Sequence, residues 1–266
     1  MAEAIIEARM VSKSYPRRTG ILRRHVGMLQ AVDRVSVALG PGETLGLVGE
    51  SGCGKTTLAR LLVGLFRPSE GEVFIHDQPL GRLRGLDLRA ARRAVQCIFQ
   101  DPMNSLNPRL SVEETLEEPL LIHRMGDRNA RRSRVLELLG AVQLPDSYLH
   151  RLPRQLSGGE RQRVGIARAL AVQPEALICD EPIASLDVSV GAQILELLRT
   201  LSQRHRTALL FISHDLRAVA SLCQRITVMR QGRLLETAST EQLLDRPAHP
   251  YTELLIRCAE LDLDAP

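Results

Sequence analysis

The chain has 266 residues, 44% hydrophobic and 25% charged, the mixture of a soluble globular protein with a sizeable core, and no apolar run approaches the roughly 18 residues needed to cross a bilayer. Its start, MAEAIIEARM, lacks a basic segment, apolar run and small-residue cleavage site, and its five scattered cysteines and seven dispersed histidines form no CxxC pair or metal-ligand spacing, so a secretory signal, a disulfide framework and a transition-metal or iron–sulfur site are not expected. The net charge of +4 comes from arginines spread along the chain, with only Lys13 and Lys55 as lysines, and an aromatic content of 3% with no Trp leaves little to stack bases, which argues against nucleic acid as a partner.

Residues 1–48 alternate short apolar runs with turn residues and read as several strands, the last being TLGLV after the turn GPGE. A basic insert at 17–28 is expected as an exposed loop. From Thr56 the pattern TTLARLLVGL has helical spacing, so a glycine-rich loop lies between a buried strand and a helix. Residues 101–172 become rich in Leu, Glu and Arg with helical periodicity in SVEETLEEPLLIH, ARRSRVLELLGAV and GERQRVGIARALA, which predicts an inserted helical subdomain. Strands resume at ALICDEP and TALLFISHD, separated by the helix GAQILELLRTLSQRH, an alternation that favours a parallel sheet. A helical tail, broken at RPAHP, closes the chain.

The loop itself, GESGCGKT, places Gly49, four residues, then Gly54, Lys55 and Thr56 in the phosphate-binding pattern. Glycines let the backbone curl so that successive N–H groups point at one anion, and the helix that follows adds its positive end. The cradle is therefore assigned to Gly49, Glu50, Ser51, Gly52, Cys53, Gly54, Lys55, Thr56 and Thr57, with Lys55 reaching the β- and γ-phosphates and the Thr56 hydroxyl binding Mg²⁺. Downstream, the apolar strand ALICD ends in two carboxylates. They suit either Mg²⁺ held through water by Asp180 with Glu181 polarising the attacking water, or an N-capping pair before the next helix. LSGGERQR then puts Ser157, Gly158 and Gly159 at a second helix start able to face an anion. A composite site shared between two copies or paralogues explains two such loops in one chain better than redundancy does.

Taken together, these motifs resemble the nucleotide-binding subunit of an ABC transporter. The signature LSGGE at 156–160, IFQDP with Gln100, SLD with Asp187 and ISHD with His214 stand in that family's order after the phosphate loop, and the similarity runs from about residue 5 to 260. The resemblance implies a P-loop cassette of α/β class. It would have a mainly parallel core sheet, an N-terminal antiparallel β-subdomain and an inserted α-helical subdomain, with the ATP-binding domain over 1–240 and a C-terminal extension over 241–266. It implies Gln100 as a further Mg²⁺ contact and a catalytic participant beside Glu181 and His214, and Asp187 and Ser157–Gly159 as nucleotide contacts. Tyr15 in SKSYP matches the aromatic that stacks on adenine; a tyrosine fixed in a loop by Pro16 is the other reading.

Several stretches, IFQDPMNSLNPR, CDEPIASLDVS and the tail PAHPYTELL among them, resemble the di/oligopeptide and nickel importer branch. This implies ATP and Mg²⁺, a second cassette that is a paralogue, two transmembrane permease subunits and an extracytoplasmic substrate-binding protein. The subunit would sit at the cytoplasmic face of the membrane. Only Cys258 lies in the tail, so no iron–sulfur cluster is carried over. SLCQRITVM leans to nickel and DEPIASLDVS to peptides, with peptide import the leading reading. A soluble ABC ATPase outside transport is the distant alternative, set against the single cassette and the lack of a long coiled-coil insertion.

Overall fold

The structure, a computed structural model, describes residues 4–19, 24–100 and 105–261. In chain order the elements are β1 (Ile6–Thr19), β2 (Arg24–Leu39), β3 (Thr44–Val48), α1 (Lys55–Leu62), β4 (Glu70–Ile75), β5 (Gln78–Pro79), α2 (Gly85–Ala94) and β6 (Val95–Ile98). Then follow α3 (Val112–Ile122), α4 (Arg128–Ala141), α5 (Gly158–Leu170), β7 (Ala176–Asp180), α6 (Val188–His205) and β8 (Ala208–Ser213). The last elements are α7 (Leu216–Leu222), β9 (Arg225–Arg230), β10 (Arg233–Ser239), α8 (Thr240–Asp245) and α9 (Pro250–Leu261). The chain divides into two units, Met1–Leu83 with Leu210–Pro266, and Arg84–Leu209.

The first unit holds an antiparallel sheet ordered β2-β1-β4-β5. Ile6 and Ala8 face inward and alternate with Glu7 and Arg9, as a half-buried strand requires. The alternation slips where Met10 takes φ 50° and the register shifts between Ala8 and Val11. This bulge exposes Arg9 and Met10 in succession and returns Val11 to the core. The basic insert is not a loop where it is described: Arg17 pairs with Gly27, Arg18 with His25 and Thr19 with Arg24. Residues 20–23 lie outside the described residues. Backbone pairing needs no apolar alternation to continue, so these strands outrun the hydrophobic pattern that marks their inner halves. The same unit carries the order β10-β9-β3-β8, with β3 parallel to β9 and β9 antiparallel to β10.

The second unit pairs β6 and β7 in parallel, Val95 opposite Ala176 through Ile98 opposite Cys179. Every residue of β7 is buried, which is why ALICD reads as a continuous apolar run. Helices α3, α4 and α5 fall where the periodicity of 101–172 predicts helix; residues 101–104 of that segment lie outside the described residues. Ser111 and Glu114 start α3 with a reciprocal capping box. Helix α2 is not expected from the sequence. Its residues GLDLRAARRA are mostly polar and bury only Ala91 and Ala94, so its helical period is carried by few apolar side chains. Among the described residues no helix is long and apolar enough to cross a membrane.

Candidate active site

The phosphate loop leaves β3 at Val48 and enters α1 at Lys55, as the strand and helix patterns predict. Two of its glycines are fixed by close backbone approach. Gly54 has φ 114°, and a Cβ there would lie 2.1 Å from the Ala31 carbonyl oxygen. At Gly49, φ 157°, a Cβ would lie 2.1 Å from that of Met229. The loop's position is thus set by β2 and β9. Gly232 N–H donates to the Cys53 carbonyl at 2.8 Å and Cys53 N–H to the Glu50 carbonyl at 3.2 Å, closing the turn. Lys55 is only 4% exposed, and its ammonium donates to the Gly49 carbonyl at 2.6 Å and the Glu50 carbonyl at 3.0 Å. A charge that costly to bury persists because the loop's own carbonyls solvate it. Glu50, Ser51 and Gly52 are exposed, and Thr56 and Thr57 are half-buried on the first turn of α1.

In the same unit Tyr15 is a strand residue, paired with Leu29 across β2, rather than a tyrosine fixed in a loop. Its ring meets Phe66 edge-on with centroids 6.3 Å apart, and the Lys13 ammonium lies 5.5 Å from its centroid. His214 is exposed directly after β8. The next residue, Asp215, accepts from the N–H groups of Arg217 and Ala218 and caps α7, while its own N–H donates to Ser213 Oγ at 3.0 Å.

The second unit brings together Gln100, Asp180 and Glu181. Asp180 ends β7 at 2% exposure, and Glu181 follows at 8% exposure with φ 47°. A left-handed glutamate is an uncommon conformation, held here by the buried strand before it and the turn after it. Gln100 Nε2 donates to Glu181 Oε2 at 3.3 Å, joining two residues 81 positions apart. In the signature, Ser157 caps α5 by accepting from Glu160 N–H at 3.3 Å, while Glu160 Oε2 accepts from Ser157 N–H at 2.7 Å. Gly158 and Gly159 form the first turn of α5, and Asp187 is an exposed residue preceding α6.

Sequence reasoning missed the residues that hold these loops. Tyr148 donates its hydroxyl to Glu160 Oε1 at 2.6 Å, and the Arg151 guanidinium lies 3.8 Å from the tyrosine ring centroid. That hydroxyl, more than the Ser157 N–H, keeps the Glu160 carboxyl below the ordinary glutamate range. Tyr251 reaches the phosphate loop from the tail, its hydroxyl accepting from Glu50 N–H at 3.3 Å. A separation of 201 residues leaves no local signal for that pair. Its nearest sequence trace is the tyrosine of PAHPYTELL.

The cysteines differ in burial and in the acidity of their thiols. Burial raises the Cys53 thiol above its ordinary range and pushes Cys223 up to about 12, while Cys179 is fully buried and Cys258 is exposed. Because a raised value means less thiolate at a given pH, maleimide at pH 8 is expected to modify Cys258 first. Cys53, Cys179 and Cys223 should react only once the protein unfolds. Peptide mass mapping of a labelling time course checks this, and early labelling of Cys223 would contradict the packing around it.

A glycine loop with a buried lysine opening a helix, and a strand-end carboxylate pair joined to a distant glutamine, define a P-loop nucleotide-hydrolysing cassette. The chain belongs to the ABC transporter family, whose model matches residues 32–184. An oligopeptide transport ATP-binding protein of Bacillus subtilis, AppF, is 44% identical over 96% of this chain and 78% of its own length. A probable peptide ABC transporter ATP-binding protein of Sinorhizobium fredii is also 44% identical, over 97% of this chain and 73% of its own. Among solved structures, the ATP-binding cassette MJ0796, dimeric and bound to ADP and Pi, superposes with TM-score 0.77 at 31% identity, covering 88% of this chain and 98% of that one. The fold and the ATPase class expected from the motifs are those found.

Proposed function

We propose that this chain is the ATP-hydrolysing subunit that powers import of short peptides through a separate permease. The observation that carries the mechanism is the hydrogen bond from Gln100 to Glu181, which ties the base that would activate water to the segment leading into the helical region. Curated relatives named for oligopeptide and peptide transport, alike over nearly the whole chain, support the substrate class over nickel.

The proposed donors for Mg²⁺ are the Thr56 hydroxyl, the Gln100 amide and the Asp180 carboxylate, an oxygen-only set that suits a hard cation. A cation held by these oxygens would offset charge on the phosphate oxygens. Lys55 and the loop's N–H groups position the phosphates, Tyr15 offers its ring to the adenine, and Glu181 takes the proton of the attacking water. His214 contacts the γ-phosphate. Ser157, Gly158, Gly159 and Asp187 complete the site of a second cassette, a paralogue, so that each ATP lies between two chains. Closure of the pair would pull on two permease subunits, supplied with substrate by an extracytoplasmic binding protein, with this chain peripheral at the cytoplasmic face. ATP drives that motion only by binding the closed pair better than the open one.

The test is a mild-detergent pull-down of the tagged chain from native membranes, followed by ATP-dependent uptake of labelled dipeptides and of nickel in reconstituted vesicles. Recovery of two permeases and a second cassette, with peptide uptake, is the expected result. Nickel uptake without peptide uptake would overturn the substrate, and recovery with ribosomal or DNA-repair proteins alone would overturn transport.

A further inference from the structure

Within the first unit, the tail helix α9 meets two segments to which the proposed function assigns nucleotide contacts. At its start, Tyr251 is 3% exposed and its hydroxyl accepts from Glu50 N–H at 3.3 Å. Both the ring and the backbone of Tyr251 have partners. The Arg230 guanidinium lies 4.5 Å from its centroid, and Tyr251 N–H donates to His249 Nδ1 at 3.0 Å. The turn before it is anchored by Glu236, whose two carboxylate oxygens accept from the N–H groups of Ala248 at 2.7 Å and His249 at 3.1 Å. At the other end of α9, Arg217 donates through Nε at 2.9 Å, and again through Nη2, to the Ala259 carbonyl. Arg217 is three residues beyond His214. Between these two anchors, Leu255, Cys258 and Ala259 line a cavity of about 400 Å³ together with Gly49 and His214.

We propose that α9 braces the nucleotide site, with Tyr251 a positioning residue that holds the entry of the phosphate loop through Glu50 and Arg217 tying the His214 loop to the same helix. The proposal rests on the ATPase reading of that site. Its physical content is preorganisation: an N–H fixed by a buried, immobile hydroxyl leaves less loop freedom to lose when an anion is bound. The geometry also makes the brace a link, because one rigid helix meets both the loop that cradles phosphate and the loop that carries the histidine. Both Tyr251 and Ala259 lie beyond residue 184, where the family model's match ends.

Tyr251→Phe tests it, since the ring and its packing remain and only the hydroxyl is lost. In the nucleotide-free protein, amide hydrogen exchange over residues 47–57 is expected to rise about fivefold, with exchange over 251–259 unchanged, the size expected for one net hydrogen bond. The Kd for Mg–ADP, read by calorimetry, should rise threefold to tenfold while kcat stays within twofold. Arg217→Gln should do the reverse, lowering kcat severalfold with Mg–ADP affinity unchanged. Wild-type exchange over 47–57 together with wild-type Kd in Tyr251→Phe overturns the brace. So does a rise in exchange that spreads through 251–259, which would mark a loosened tail alone. If wild-type protein fails to bind Mg–ADP, the ATPase reading falls instead, and the exchange experiment still reports on the contact.

Discussion

Glu181→Gln is expected to slow ATP hydrolysis by about 10²–10⁴-fold, the range for loss of a positioned general base. The amide is isosteric, so the packing around an 8% exposed side chain and the contact with Gln100 both survive, and folding stability should be unchanged. The backbone at this position already takes φ 47°, a cost met by either residue alike. What is lost is the capacity to take a proton from water. Mg–ATP affinity should therefore stay within about threefold, and ATP should accumulate on a paired cassette that wild-type enzyme resolves. Single-turnover phosphate release, with light scattering in the presence of ATP, reads both effects. Retention of more than a tenth of wild-type turnover would move the base elsewhere.

The second large effect is on binding. Lys55→Ala is expected to weaken Mg–ATP by at least roughly a hundredfold. An ammonium meeting two phosphate oxygens supplies two charge-assisted hydrogen bonds of about 1.5–3 kcal/mol each, hence about 3 kcal/mol or more. The same change strips the Gly49 and Glu50 carbonyls of the donor that organises them, so the loop loses shape as well as charge. Lys55→Arg should not restore binding, because a slot that leaves the lysine 4% exposed has no room for a planar guanidinium. Thermal denaturation with and without 1 mM Mg–ATP makes the comparison. Wild-type protein gains stability in proportion to the logarithm of ligand over Kd, and the variant should gain almost none. An equal shift in both would place phosphate recognition outside this loop.

The parts of the molecule legible in the sequence were those with a local cause. The phosphate loop announces itself because glycine is demanded at positions 49 and 54 and a lysine must follow. Strand β7 is visible because burial on both faces makes ALIC a continuous apolar run, and α5 because GERQRVGIARALA keeps a helical period. Contacts whose partners are far apart in the chain stayed hidden. Nothing near Tyr251 marks it as a neighbour of Glu50, and nothing near Gln100 indicates a bond to Glu181 apart from the family's motif order. Helix α2 and the outer halves of β1 and β2 were obscure for a different reason. The strand halves are held by backbone pairing, which gives a pattern of side chains no signal to carry, and α2 is a short, mostly polar helix that buries only two alanines.

The three tyrosines and the absence of tryptophan give the protein a built-in optical probe. Each phenol has surroundings of its own: Tyr15 lies on β1, Tyr148 donates to the carboxylate that caps α5, and Tyr251 accepts from the Glu50 N–H. Emission from the chain is therefore tyrosine emission alone, free of the indole signal that usually hides it. The phenol that donates to the Glu160 carboxylate should be the dimmest, because a strong acceptor quenches the excited ring. Single Tyr→Phe variants would divide the signal into three channels, letting changes at β1, at the start of α5 and at the tail be timed separately in stopped flow without any attached dye.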